Sequence, residues 1–97
     1  MVVIVRSQAE RDITQAIDYY LDQEAPTAAD RFLDAVEAAY PEIRDAPLRY
    51  PPDDQGVRQK PVLGFPFSIL YTVAGAEITV HAVRHHSRKP GFWENRL

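Results

Sequence analysis

Apolar positions change their period once along this chain. From residue 9 to residue 43 they recur three and four apart, and from residue 67 to residue 83 they recur mostly at every second position. The first spacing is that of helices with one buried stripe, the second that of strands with one buried face. A β-branched run at residues 2–5 precedes both and reads as a short strand.

The first helical stretch gathers Ala9, Ile13, Ala16, Ile17, Tyr20 and Leu21, with Asp12, Gln15, Asp18 and Asp22 elsewhere on its surface. Ser7 to Glu10 fit a capping box: the Ser7 hydroxyl accepts from the Glu10 amide while Glu10 reaches back. The helix is predicted to run to about residue 23. Glu24-Ala25-Pro26-Thr27 is the turn. Pro26 suits the first position of a second helix, where its missing amide costs nothing, and Thr27 is the alternative cap. Ala28, Phe32, Ala35, Val36, Ala39 and Ile43 form the second stripe. Pro41 lies inside it and is predicted to kink the helix rather than end it near Tyr40, because Ile43 continues the stripe. Two helices with so short a link make an αα-hairpin. Pro47, Pro51 and Pro52 close the helical region, and residues 49–56 form a loop rich in breakers.

Residues 57–63 read as a strand with Arg58 and Lys60 on one face, and Pro61 marks an edge or a bulge. Phe67, Ile69, Tyr71 and Val73 alternate with Ser68, Leu70 and Thr72. After a break of hairpin length at residues 74–76, Ile78, Val80 and Ala82 alternate with Thr79, His81 and Val83. Pro90 and Gly91 end regular structure. The order is β-α-α-β-β-β, an α+β fold in which the helical hairpin covers one face of a small antiparallel-rich sheet. The other face is expected to stay open, bounded by the C-terminal tail. It would carry Arg58, Lys60 and part of the cationic cluster Arg84, His85, His86, Arg88 and Lys89. A bulge near the strand end would move Arg84 from one face to the other, so parity alone leaves its facing open.

Composition narrows the classes. The 97 residues suit one domain, and 45% hydrophobic with 26% charged residues is ordinary for a soluble protein, with the cytoplasm as expected location. There is no cysteine, hence no disulfide framework and no thiolate chemistry. The adjacent pair His85 and His86 lacks zinc-type spacing, so neither a metal nor a cofactor is expected. No apolar run approaches the ~20 residues of a membrane span. Net charge is −3, but unevenly spread: residues 1–55 carry twelve acids and five bases, net −7, and residues 56–97 carry two acids and six bases, net +4. The basic half suits an anionic partner, and equally an acidic hairpin packed on a basic sheet.

The C-terminal cluster permits one reaction in particular. Metal-free RNA cleavage needs a base for the ribose 2′-hydroxyl, cations for the phosphorane and an acid for the leaving oxygen. His81, His85 and His86 are of the right type for acid or base, and Arg58, Lys60, Arg84 and Arg88 for the charge, with His85, His86, Arg84 and Arg88 gathered at the C-terminal end. Against this stand the sparse cations of the middle strands, Arg58 and Lys60 only, and a pI near 5.5. Affinity for RNA rests mainly on many phosphate contacts. Tyr71 reads as a core residue with a satisfied hydroxyl or as a contact. Trp93, beside Phe92, either folds back onto the core or waits for a partner.

Four blocks, in this order and spacing, resemble the RelE/ParE family of bacterial toxins over nearly the whole chain. They are Ala9, Glu10, Asp12 and Ile13 with Tyr19 or Tyr20; Ala28, Ala29, Arg31, Phe32 and Ala35; Phe65, Pro66, Phe67, Ile69 and Tyr71; and Val83, His85, Arg88 and Pro90 followed by Trp93. The resemblance implies the toxin of a type II toxin–antitoxin module of the plasmid-stabilisation type, a growth inhibitor neutralised by a cognate antitoxin and able to form a hetero-oligomer with it. A RelE-like branch cleaves messenger RNA on the ribosome, and His85, His86, Arg84 and Arg88 would then be catalytic. A ParE-like branch inhibits DNA gyrase without cutting RNA, and Arg58, Lys60, Tyr71, Arg84, Arg88 and Trp93 would then contact target or antitoxin. The low pI and the few middle-strand cations favour the ParE-like branch. A chain that keeps only the antitoxin contact is the third outcome.

Overall fold

The computed structural model describes residues 1–88 and 93–97; Lys89, Pro90, Gly91 and Phe92 lie outside the described residues, and with them the expected end of regular structure at Pro90. The chain opens with β1 (Val2–Val5), continues through α1 (Ser7–Asp22) and α2 (Pro26–Asp45), and then lays down β2 (Arg58–Pro61), β3 (Phe67–Ala74) and β4 (Glu77–His85). A 3-10 turn, Glu94–Arg96, follows.

The capping box does not form. Arg6 is the N-cap, in an extended conformation, and no side chain caps the helix. The cause is the sheet: the Arg6 amide donates to the Val80 carbonyl at 3.1 Å, so strand pairing holds Arg6 extended and the helix starts directly after it. Ser7 is already helical, and the Glu10 amide donates to the Arg6 carbonyl. At the other end of α1 the Ala25 amide reaches the Tyr20 carbonyl at 2.9 Å and the Glu24 amide reaches Leu21 at 3.0 Å. These two bonds make a Schellman motif, which needs a left-handed residue. Glu24 supplies it at φ 56°. Pro26 opens α2 as expected, and the helix runs on through Pro41 to Asp45, which brings Ile43 into the core.

The sheet has the order β1-β4-β3-β2. β1 lies parallel to β4, and the other two pairings are antiparallel. The helical hairpin is the crossover that the parallel pair requires. Phe32, fully buried, joins the layers: its ring centroid lies 4.8 Å from Phe67, 5.4 Å from Phe65 and 5.9 Å from Tyr20. Ile69, Tyr71, Ile78, Val80 and Val83 face the same core. A smaller cluster, Val57, Leu70, Ala82 and Trp93, sits on the opposite face. The face expected to be open is therefore partly covered by the tail, with Trp93 6% exposed.

Candidate functional site

One extra residue in β4 decides what the C-terminal end of the sheet displays. Leu70 is opposite Ala82 and Tyr71 is opposite Val80, which leaves His81 without a register partner. This is a β-bulge, two residues against one. The strict alternation expected for β4 therefore fails at His81. Val80 and Val83 both face the helices, while Ala82 joins Leu70 on the other side. Arg84 pairs with Ser68 on that other side, and His85 pairs with Phe67 on the helical side.

The four C-terminal residues of the RNA-cleavage inventory are divided between the two faces, as neighbours along a strand are, and the bulge sets which face each takes. The His85 ring stands edge-on to Phe67 at 4.9 Å, and its Nδ1 accepts from the Ser87 amide at 3.0 Å. An amide can only donate, so neutral His85 carries its proton on Nε2. His85 and Arg88 line a cleft of about 260 Å³ with Asp12, Gln15 and Tyr19. Arg84 lies across the sheet, its guanidinium 5.7 Å from the Trp93 ring centre and donating to the Arg88 carbonyl at 3.1 Å. His86 Nε2 is 3.0 Å from the hydroxyl of Ser68, the register partner of Arg84. The cluster is contiguous in sequence and two-sided in space.

Arg58 and Lys60 are not on the open face. They pair with Tyr71 and Ile69, both core residues on the helical side, and paired residues share a face. Both cations are engaged there. Arg58 donates to the Tyr50 carbonyl at 2.5 Å and to Leu48 at 3.3 Å. The Lys60 ammonium, its side chain 12% exposed, is 2.8 Å from the Glu42 carboxylate and 5.5 Å from the Tyr50 ring centre. Burial pushes its pKa down, but hydrogen bonds with Glu42 and Tyr50 outweigh that and leave it raised. The same hydrogen bond lowers Glu42. Tyr71 is 0% exposed and donates to the Pro47 carbonyl at 2.8 Å, so it offers no surface to a partner. Burial raises its pKa and keeps the phenol protonated.

A second constellation lies where the sequence pointed to none. Asp12 Oδ2 accepts from Arg96 at 2.6 Å and from the Val83 amide at 3.0 Å, and Oδ1 accepts from Arg96 at 3.1 Å. Arg96 also donates to the His81 carbonyl at 3.2 Å, and Arg6 donates to the Arg96 carbonyl. Arg6 approaches His81 Nδ1 at 3.5 Å, and His81 Nε2 is 2.8 Å from the Thr72 hydroxyl. Burial and the Arg6 charge hold the His81 pKa below its ordinary value. The available signal was Asp12, which falls three residues after Ala9 and four before Ala16, inside the buried stripe rather than outside it. An acid there needs a cation to meet it. Among the described residues, no group of three or more His, Asp or Glu comes together that could hold a metal ion, and no helix is long and apolar enough to cross a membrane.

A helical hairpin on a four-stranded mixed sheet, with its polar groups gathered at the C-terminal strand and tail, defines the class of small RelE/ParE-type toxin folds. The family described as ParE toxin of type II toxin-antitoxin system, parDE, matches residues 3–90, and the chain belongs to it. Among solved structures it is similar to a chain of the chromosomal ParDE TA system from P. aeruginosa, at 23% identity and a TM-score of 0.66, covering 88% of this chain and 95% of that one. That likeness is one of fold. No curated protein matches the sequence.

Proposed function

We propose that this chain is a toxin that inhibits DNA gyrase without cleaving RNA and is held inactive by a cognate antitoxin, with which it forms a hetero-oligomer. It acts as one domain in the cytoplasm. The observation that carries the reading is the division of the C-terminal cleavage inventory between the two faces of the sheet. Arg84 and His86 stand on one face, His85 and Arg88 line a cleft on the other, and both middle-strand cations are tied to helix and loop groups. A phosphorane needs its base, acid and cations converging on one phosphate, and this arrangement does not gather them. Membership of the ParE family supports the same branch. Arg84, whose guanidinium lies over the Trp93 ring, and Arg88 are the target contacts in this reading.

The test is a supercoiling assay with purified gyrase and the chain in stoichiometric excess, beside transcript 5′-end mapping minutes after induction in cells. Loss of supercoiling with intact transcripts is expected. Unchanged supercoiling counts decisively against the reading. The ribonuclease reading keeps one supporting observation, the shared cleft of His85 and Arg88. The double change His85→Ala and Arg88→Ala addresses it, because a folded variant that no longer cuts transcripts the parent cuts would restore that reading.

A further inference from the structure

The tail is fastened by four groups that gyrase inhibition leaves unused: Arg6, Asp12, His81 and Arg96. The fastening has two points. Asp12 on α1 grips the Arg96 guanidinium with both oxygens. Arg6, at the end of β1, donates to the Arg96 backbone carbonyl and shares itself with His81 Nδ1. Arg96 in turn donates to the His81 carbonyl, which the bulge turns toward the tail. Trp93, three residues before Arg96, is then seated over Val57, Leu70 and Ala82.

The chemistry of His81 fixes its protonation. A guanidinium can only donate, so Nδ1 is the acceptor, and Nε2–H donates to Thr72. A proton added to Nδ1 removes the acceptor and sets an imidazolium against the Arg6 guanidinium at 3.5 Å. Among the described residues, the charged groups that bear on the ring are Arg6 from the end of β1, Arg96 from the tail and Asp12 from α1; β3 contributes only the neutral Thr72. Asp12, the one acid of the set, is already committed to Arg96 and the Val83 amide. Nothing in the set compensates the new charge, and His81 is 7% exposed, with little water to do so.

We propose that His81 operates a latch: neutral, it keeps the tail closed over the β3–β4 face, and protonated at Nδ1 it drives Arg6 off, loosens Arg96 and bares Val57, Leu70 and Ala82. The sign follows from linkage. Burial and Arg6 depress the His81 pKa in the closed state below the ordinary histidine value of 6.5, toward which the ring moves once the tail is free. Closure is therefore fully favoured above that value. It weakens as pH falls below it, losing up to about tenfold in the closed-to-open ratio per pH unit until the depressed pKa is passed. The latch stands apart from the choice of target.

Trp93 is the only tryptophan, so its emission reports the tail alone. Between about pH 7.5 and about pH 5, the range in which only histidine titrates strongly, the full chain is expected to shift its emission to the red and become more open to acrylamide, with the far-ultraviolet dichroism unchanged. His81→Gln abolishes the shift, and the double change His85→Asn and His86→Asn leaves it. A flat wild-type profile, or a shift that survives His81→Gln, overturns the proposal. Should His81→Gln not fold, the wild-type His81 ring resonance decides. Its titration must share a midpoint with the Trp93 emission, and separate midpoints overturn the latch.

Discussion

Tyr71 shows how much one side chain contributes once its partners are known. Its ring fills the core and its hydroxyl satisfies the Pro47 carbonyl, which ties the end of the α2 region to the middle of the sheet. Tyr71→Phe keeps the ring and leaves that carbonyl short of a donor. Urea unfolding is expected to show a loss of about 1 kcal/mol, and a variant as stable as the parent would mean water replaces the bond. Lys60 carries the same lesson with charge. Sequence alone placed it with Arg58 as a pair of cations offered to a partner, yet Lys60 is spent on Glu42 and Tyr50. The facing of an edge-strand residue is set by the register of its neighbour, and register is a property of two strands that neither states by itself.

Among the elements, the helical hairpin was the most legible. Its two stripes are long and regular, and Pro26 marked the second start. Its ends were less so, because tertiary pairing overrides local capping signals. Ser7 lost its cap role to the strand pairing of Arg6, and nothing in Glu24 announces a left-handed conformation. That conformation is costly for a residue with a Cβ. Glu24→Gly is therefore expected to stabilise the chain by about 1 kcal/mol, raising the midpoint of thermal unfolding by about 4–8 °C for a domain of this size. Pro41 gives a second such site. It denies the exposed helix one backbone bond, and Pro41→Ala should restore it with a gain of about 1–3 kcal/mol. A calorimetric scan of each variant checks both, and a fall in stability at either position would show that the loss is compensated elsewhere in the helix.

At the scale of the whole molecule, two cores of unequal size lie on the two faces of one sheet, and they answer to different perturbations. Phe32 joins the hairpin to the sheet in the larger core, where Phe32→Ala should cost about 3–5 kcal/mol in denaturant unfolding. That is a large part of the about 5–15 kcal/mol that keeps a domain folded. The smaller core depends on the tail, and its fastening escaped the sequence because its members, Arg6, Asp12, His81 and Arg96, are spread over the length of the chain. The bulge escaped for another reason: alternation has no mark for an inserted residue, and only the small Ala82 between Val80 and Val83 hints that the two valines share a face. The inserted position has an evolutionary reach. Losing the single codon for His81 would straighten β4 yet leave Ala82, Val83, Arg84 and His85 opposite the same residues of β3, each on the face it already shows. An extra residue taken up as a bulge leaves the surface beyond it unchanged, so lineages of this fold can gain or lose that residue by a single small insertion or deletion without trading one surface for another.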